Sequence, residues 1–102
     1  MGYVLLRNSW TTQLDKMSPV TIYTTALCPY CDMAKQLLER KGVSFSEIDV
    51  TGKPALRDEM RRKAGGRNSV PQIWIGDRHV GGCDDLYALD HQSRLDTLLS
   101  AT

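Results

Sequence analysis

The feature that most constrains the fold is a C-x-x-C pair, Cys28 and Cys31, which lies between a strand-like and a helix-like segment. Residues 20–24, VTIYT, are β-branched and aromatic and predict a strand. Pro29 suits the first position of a helix, where its missing N–H costs nothing, and apolar residues then recur at helical spacing until Gly42. A strand followed directly by a helix is how a βαβ unit begins.

The rest of the chain continues this alternation. Residues 43–50 predict a second strand, and the charged segment 54–64 predicts a second helix that ends at two glycines. Two short strands at 72–75 and 78–80 flank Gly76-Asp77, a turn pair typical of a β-hairpin. Closing helical structure is predicted from the spacing of Leu86, Leu89, Leu95, Leu98 and Leu99. This order indicates an α/β fold with a central mixed sheet flanked by helices.

Length and composition fit a single globular domain. The chain has 102 residues, of which 41% are hydrophobic and 25% charged, values that argue against disorder and against a disulfide scaffold. A net charge of +1 gives no broad field for nucleic acid or an anionic membrane, so we expect neither as a partner. Residues 1–17 lack clear periodicity and are interpreted as a non-essential N-terminal extension, and residues 18–102 as the functional domain.

The cysteine count favours a reducing compartment. Three cysteines allow at most one intramolecular disulfide, and the C-x-x-C spacing in a chain with βαβ character indicates redox chemistry more than structural bridging. We therefore expect the protein in the cytoplasm.

The spacing of Cys28 and Cys31 suits disulfide exchange. A cysteine at a helix N-terminus ionises more readily, because unpaired N–H groups and the helix dipole stabilise the thiolate. A second cysteine three residues later lies one turn along the same face and can resolve a mixed disulfide. One alternative is a zinc site that adds Cys83 and His79 or His91, although a second closely spaced ligand pair is missing. Another is that both cysteines are buried packing residues.

Three separated motifs, TxxxCPYC, SVPQIWI and VGGCDDLYALD, resemble the dithiol glutaredoxins and are most similar to the short bacterial glutaredoxin 3 class. The resemblance runs from about residue 20 to residue 99. It implies a thioredoxin-like fold with a four-stranded sheet in the order β-α-β-α-β-β-α. It also implies a glutathione-dependent disulfide oxidoreductase with Cys28 as nucleophile and Cys31 as resolving thiol. Glutathione would be the reducing co-substrate, with no tightly bound cofactor and no metal, in a monomer that acts on disulfide-containing or glutathionylated proteins.

The resemblance also implies a glutathione site beside the cysteine pair. Pro71 would be cis and would aim the Val70 backbone at the ligand in strand-like pairing; the alternative is a trans proline that opens an edge strand. The implied glutathione-binding residues are Tyr30, Ser69, Val70, Pro71, Gly82, Cys83 and Asp84.

The segment from Gly81 to Asp85 admits a binding and a structural interpretation. Its glycines permit close backbone approach, and the N–H groups that open the next helix suit the γ-glutamyl carboxylate. We expect Asp84 both to cap this helix and to accept the γ-glutamyl ammonium, and Asp85 to act as a cap alone. Cys83 is interpreted as a semi-buried structural thiol, with redox sensitivity as the alternative. Tyr30 either contacts glutathione or is an exposed spacer.

The chain departs from the family pattern at two positions. Thr25 occupies the place where many dithiol glutaredoxins have lysine, and Ser69 replaces a threonine. Arg57 or Arg67 can replace the lost cation, unless these arginines only form a solvated helix face. A carrier role, with an iron–sulfur cluster held by Cys28 and glutathione, is the alternative function; the bulk of Pro29 and Tyr30 argues against it.

Overall fold

The computed structural model describes residues 18–100, so the interpretation of residues 1–17 lies outside the described range. Strands and helices alternate through most of this range and end with two consecutive helices. Their bounds are β1 Val20–Thr24, α1 Pro29–Arg40, β2 Phe45–Asp49, α2 Pro54–Lys63, β3 Gln72–Ile75, β4 Arg78–Gly81, α3 Cys83–His91 and α4 Leu95–Ser100. The sequence predicted each element to within two residues at either end, except for the division of the last helical segment.

The strands form one sheet in the order β2-β1-β3-β4. Strand β1 pairs with β2 in parallel, and Ile22 lies opposite Glu47 in that pair. Strand β3 pairs antiparallel with both β1 and β4, and the two-residue turn Gly76-Asp77 joins β3 to β4. A parallel pair needs a crossover connection, which α1 supplies. The four-stranded mixed sheet flanked by helices is confirmed.

The two central strands are buried on both faces. In β3 all four residues are buried, and in β1 all but Thr21 are buried. The edge strands β2 and β4 contain mostly partly or fully exposed residues. Strands that read as continuous apolar runs are expected where helices cover both sides of a sheet.

Alternate residues of the central strands enter two separate cores. Ile22 and Ile73 belong to a core that also contains residues of α1, α3 and α4, such as Leu38. Their chain neighbours Tyr23 and Trp74 belong to the core on the other side, which is completed by α2. Because successive side chains of a strand point to opposite faces, the same short strands contribute to both cores. Helix α2 covers one face of the sheet, and α1, α3 and α4 cover the other.

The closing helical segment divides into two helices, where the leucine spacing alone predicted helical structure throughout. Ser93 has a φ of +59°, which ends α3 and turns the chain. This turn lets Leu95 and Leu99 of α4 enter the same core as α3. Lys41 contacts Asp90 at 2.6 Å and Asp96 at 3.0 Å, one carboxylate on each helix.

None of the helices among residues 18–100 has the length and apolar character needed to cross a bilayer.

Candidate active site

The cysteine pair lies at the N-terminus of α1. Cys28 is the N-cap residue with an extended backbone, φ −119°, and Pro29 takes the first helical position. The Cys28 sulfur accepts a hydrogen bond from the N–H of Cys31 at 3.1 Å. The two sulfurs are joined in a disulfide, with their Cα atoms 5.2 Å apart. The sequence therefore places Cys28 against the positive end of the helix, as predicted.

The two cysteines differ in exposure. Cys31 is 1% exposed and is packed in the interior, whereas Cys28 is only partly buried. Leu27 and Tyr30, the residues on either side of the Cys28–Pro29 pair, are exposed. A molecule that approaches from outside therefore meets Cys28 before Cys31.

The segment before β3 forms the facing wall. The Val70–Pro71 peptide bond is cis, as the resemblance implied, and Pro71 is buried while Val70 is partly exposed. The carbonyl oxygen of Val70 lies 4.0 Å from the Cys28 sulfur. The Val70 backbone is thus the polar group that the fold brings beside the exposed sulfur.

The N-terminus of α3 forms a third wall. Gly82 is the N-cap residue, and its N–H donates to the carboxylate of Asp85 at 2.9 Å. This hydrogen bond, together with Arg67 at 3.2 Å, holds the pKa of Asp85 below its usual range. Asp85 therefore caps the helix, as predicted. Asp84 was also expected to cap it and does not: among the described residues its exposed carboxylate has no hydrogen-bond or ion-pair partner, because the first turn of α3 places Asp85 over Gly82.

These three walls enclose a cavity of about 250 Å³, referred to below as the site cavity. All the residues that the resemblance implied for glutathione lie along it, and so do two more. Its lining residues are Tyr30, Arg67, Ser69, Val70, Pro71, Gly82, Cys83, Asp84 and Asp85. The sequence marked Arg67 as one of two candidate cations but assigned Asp85 to capping alone. The ion pair between them forms because the fold brings α3 close to the loop after α2.

The other candidate cation occupies a different place. Arg57 donates to the backbone carbonyl of Asn68 at 2.7 Å, so it braces the loop that leads to the cis proline. It also lines a neighbouring cavity with Thr25 and Lys53. Arg67 therefore lies in the site cavity, while Arg57 is the arginine that shares a cavity with Thr25.

Cys83, the free cysteine of the described residues, is buried at the start of α3. Burial, and secondarily the charge of Asp84, raises the pKa of its thiol. A thiol with a raised pKa is a poor nucleophile at neutral pH. This agrees with the structural role predicted for its side chain.

The zinc alternative finds no ligand set in the part of the chain described. Residues 18–100 contain no group of three or more His, Cys, Asp or Glu side chains arranged to hold a metal ion. The sulfurs of Cys28 and Cys31 are instead bonded to each other.

A vicinal cysteine pair at a helix N-terminus, facing a cis proline that precedes a central strand of a four-stranded mixed sheet, defines a thiol–disulfide oxidoreductase with a thioredoxin-like fold. The family model described as Glutaredoxin matches residues 20–80. The chain is 67% identical over 85 residues to a glutaredoxin of Pseudomonas aeruginosa, covering 83% of this chain and 100% of that protein. It is 55% identical over 83 residues to glutaredoxin 3 of Escherichia coli, covering 81% and 99% of the two chains.

Solved structures agree with the sequence relatives. The solution structure of glutaredoxin from Brucella melitensis matches with a TM-score of 0.74 and 56% identity, covering 83% of this chain and 91% of that one. The chain belongs to the glutaredoxin family. It is a glutathione-dependent thiol–disulfide oxidoreductase, and the iron–sulfur carrier alternative is not favoured.

Proposed function

We propose that Cys28 is the nucleophile for both glutathionylated proteins and protein disulfides, and that Cys31 serves only the second class. The observation that carries this division is the difference in exposure between the two sulfurs: Cys28 is partly exposed at the positive end of α1, and Cys31 is 1% exposed. An incoming disulfide can be attacked in line by the first sulfur only. The second can reach only a partner already bonded to the first.

In the first reaction the Cys28 thiolate attacks the glutathione sulfur of a glutathionylated protein. A Cys28–glutathione disulfide forms, and the protein leaves as a thiolate. A second glutathione thiolate then attacks the glutathione sulfur of that intermediate, which yields glutathione disulfide and returns Cys28 to the thiolate. Each cycle consumes one free glutathione, which leaves bonded to the substrate's glutathionyl group as glutathione disulfide, and Cys31 takes no part.

In the second reaction Cys28 attacks a protein disulfide and forms a mixed disulfide with one of its sulfurs. The Cys31 thiolate attacks the Cys28 sulfur and releases the protein as a dithiol, leaving the Cys28–Cys31 bridge. Two glutathione molecules then reduce this bridge and leave as glutathione disulfide. The separation of 5.2 Å between the two Cα atoms allows the bridge without movement of the backbone.

We assign glutathione to the site cavity. Its γ-glutamyl carboxylate would accept from the first N–H groups of α3, which have no partner within the helix. The unpartnered carboxylate of Asp84 would take the ammonium group, and the Val70 backbone would pair with the glutathione cysteine beside Cys28. Tyr30, 60% exposed at the rim, would cover the mixed disulfide. Ser69, Pro71, Gly82 and Cys83 would complete the walls.

The test is turnover with glutathione as the sole reductant and a small glutathione mixed disulfide as substrate, coupled to reduction of the glutathione disulfide formed. We expect efficient turnover that saturates with the mixed disulfide. A protein that is inactive with glutathione but active with a flavoenzyme-reduced thioredoxin system would overturn the proposal.

We further propose that residues 18–102 act as a monomer without a tightly bound cofactor, in a reducing compartment such as the cytoplasm, and that residues 1–16 are dispensable. The family match begins at residue 20, and the three motifs that carry the resemblance all lie beyond it. A chain that starts at Met17 should keep the turnover and the free energy of unfolding of the full chain. A large loss of either would show that the extension belongs to the domain.

A further inference from the structure

A buried glutamine connects the cis-proline loop to the adjacent edge strand β4. Gln72 opens β3 and is 0% exposed. Its side-chain nitrogen donates to the carbonyl oxygen of Ser69 at 3.0 Å and to the Ser69 hydroxyl at 3.2 Å. Its side-chain oxygen lies 2.7 Å from Nε2 of His79 on β4. A continuous chain of hydrogen bonds therefore joins His79, Gln72 and Ser69.

The donor and acceptor roles of these groups fix the direction of each hydrogen bond. A backbone carbonyl oxygen can only accept, so the Gln72 amide must turn its nitrogen towards Ser69 and its oxygen towards His79. The oxygen in turn can only accept. Nε2 of His79 must therefore carry a proton, and in the neutral ring Nδ1 carries none.

Neighbouring groups hold the His79 ring in place. It stacks on Trp74 with the ring centres 4.6 Å apart, and the Lys63 ammonium lies 5.2 Å from the Trp74 ring centre. Burial, and secondarily the charge of Arg67, lowers the pKa of His79, against a smaller opposing effect of Asp85. The lowered pKa favours the neutral ring, and the hydrogen bond to Gln72 favours the tautomer with its proton on Nε2.

The series of hydrogen bonds ends at the peptide group between Ser69 and Val70, one residue before the cis proline. The carbonyl of Ser69 and the N–H of Val70 belong to one planar peptide unit, so fixing the first orients the second. Val70 lines the site cavity, and its carbonyl oxygen lies 4.0 Å from the Cys28 sulfur.

We propose that His79 is a positioning residue that acts through Gln72 and Ser69 to aim the Val70 N–H at the backbone of bound glutathione. The proposal rests on the assignment of glutathione to the site cavity. It concerns recognition of the glutathione part of the substrate and not the reactivity of the Cys28 thiolate.

The first test uses the unmodified protein. Nitrogen-15 NMR of the reduced protein above the titration range of His79 should show the Nε2-protonated tautomer. The Nδ1-protonated tautomer, or an equal mixture of both, would overturn the proposed direction of the chain.

The second test compares two substitutions. His79→Phe keeps an aromatic ring against Trp74 but removes the hydrogen-bond donor. It should lower kcat/KM for a glutathionylated peptide about three- to tenfold, which corresponds to the net free energy of one hydrogen bond. His79→Gln keeps an N–H donor of similar reach and should recover most of that loss. Both variants should alkylate at Cys28 with iodoacetamide at the rate of the original protein, because alkylation needs the thiolate but no contact with Val70.

Unchanged kcat/KM in His79→Phe, a failure of His79→Gln to recover activity, or an equal loss in the alkylation rate would each overturn the proposal. Its failure is distinguishable from that of the proposed function. If the unmodified protein does not turn over glutathione mixed disulfides, the function fails; if it does and His79→Phe matches it, only the positioning role fails.

Discussion

Helices α1 and α3 both begin at the site cavity, but different groups cap them. At α1 the Cys28 sulfur accepts from the N–H of Cys31 at 3.1 Å. At α3 the Asp85 carboxylate accepts from the N–H of Gly82 at 2.9 Å. Both helices present the positive end of a dipole to the same space. The two capping atoms differ in their chemical reactivity.

A sulfur can cap a helix and also exchange bonds, whereas a carboxylate with a lowered pKa keeps a fixed charge. In the proposed mechanism the α1 terminus would stabilise the reacting thiolate, and the α3 terminus would offer its N–H groups and the Asp84 carboxylate to glutathione. On this proposal, the N-terminus of a helix would support the chemistry at one end of the cavity and ligand recognition at the other.

The largest loss of activity is expected from substitutions at the N-terminus of α1. Cys28→Ser should abolish both proposed reactions, because a serine hydroxyl is not ionised at neutral pH and forms no mixed disulfide. Cys31→Ser should retain removal of glutathione from mixed disulfides and lose most reduction of protein disulfides. The measurement is the rate of each variant on a glutathionylated substrate and on a protein disulfide. Equal loss of both activities in Cys31→Ser, with an intact fold, would contradict the separate roles.

A large structural effect is expected at the entry to α3. A Cβ at Gly81 would collide with the Asp85 carboxylate and lie 2.8 Å from the Arg67 guanidinium, on a backbone with φ +114°. Gly81→Ala should lower the free energy of unfolding by about 2 kcal/mol or more, from backbone strain and the displaced cap. Gly76→Ala is the matched control, because it has φ +60° but nothing within 4 Å of its Cβ. If urea titrations give equal losses for the two, the contact with Asp85 does not matter.

The two adjacent aspartates should separate stability from binding. Asp85→Ala removes the cap of α3 and should cost about 1 kcal/mol of unfolding free energy. Asp84→Ala should leave stability nearly unchanged and raise KM for a glutathione mixed disulfide. Urea unfolding and steady-state kinetics of both variants make the comparison. The opposite pattern would exchange the roles assigned to the two carboxylates.

Asp85 also predicts a pH dependence. Because its pKa is lower in the folded protein, its contribution to stability is complete above the pKa of an unfolded aspartate, roughly 3.9, and is lost as the pH falls through the folded value. Asp85→Asn should therefore lose less stability than the original protein between pH 6 and acidic pH near 3. Parallel acid dependence of the two proteins would show that this carboxylate is not stabilised by the cap.

The smallest effect is expected at Thr25. Thr25→Lys adds a cation beside Lys53 and Arg57, which line the same cavity as Thr25. An exposed cation contributes about 0.3 to 1 kcal/mol, so KM for a glutathione mixed disulfide should fall by no more than roughly fivefold and the gain should vanish at high salt. A rise in KM at low salt would show that Thr25 lies too far from the bound ligand.

Local signals in the sequence determined most of the elements and the reactive pair. The β-branched run of β1, Pro29 at the first helical position and the turn pair Gly76-Asp77 each act within a few residues, so their structures follow from short-range sterics and hydrogen bonding. The C-x-x-C spacing on a helix likewise places Cys31 within reach of Cys28 without any tertiary contact. The resemblance supplied what spacing could not, including the cis form of Pro71.

Tertiary structure decided the features that depend on segments distant in the chain. The left-handed turn at Ser93 divides the closing helix because Leu95 and Leu99 must reach a core shared with α1, a requirement that the leucine spacing does not reveal. The Arg67–Asp85 pair and the bond from His79 to Gln72 likewise join residues brought together only by packing and strand register. Sequence by itself determined which groups can react, because that property belongs to a residue and its immediate helix. The fold decided how the walls of the site cavity are held together, because those contacts depend on distances between elements that no local pattern encodes.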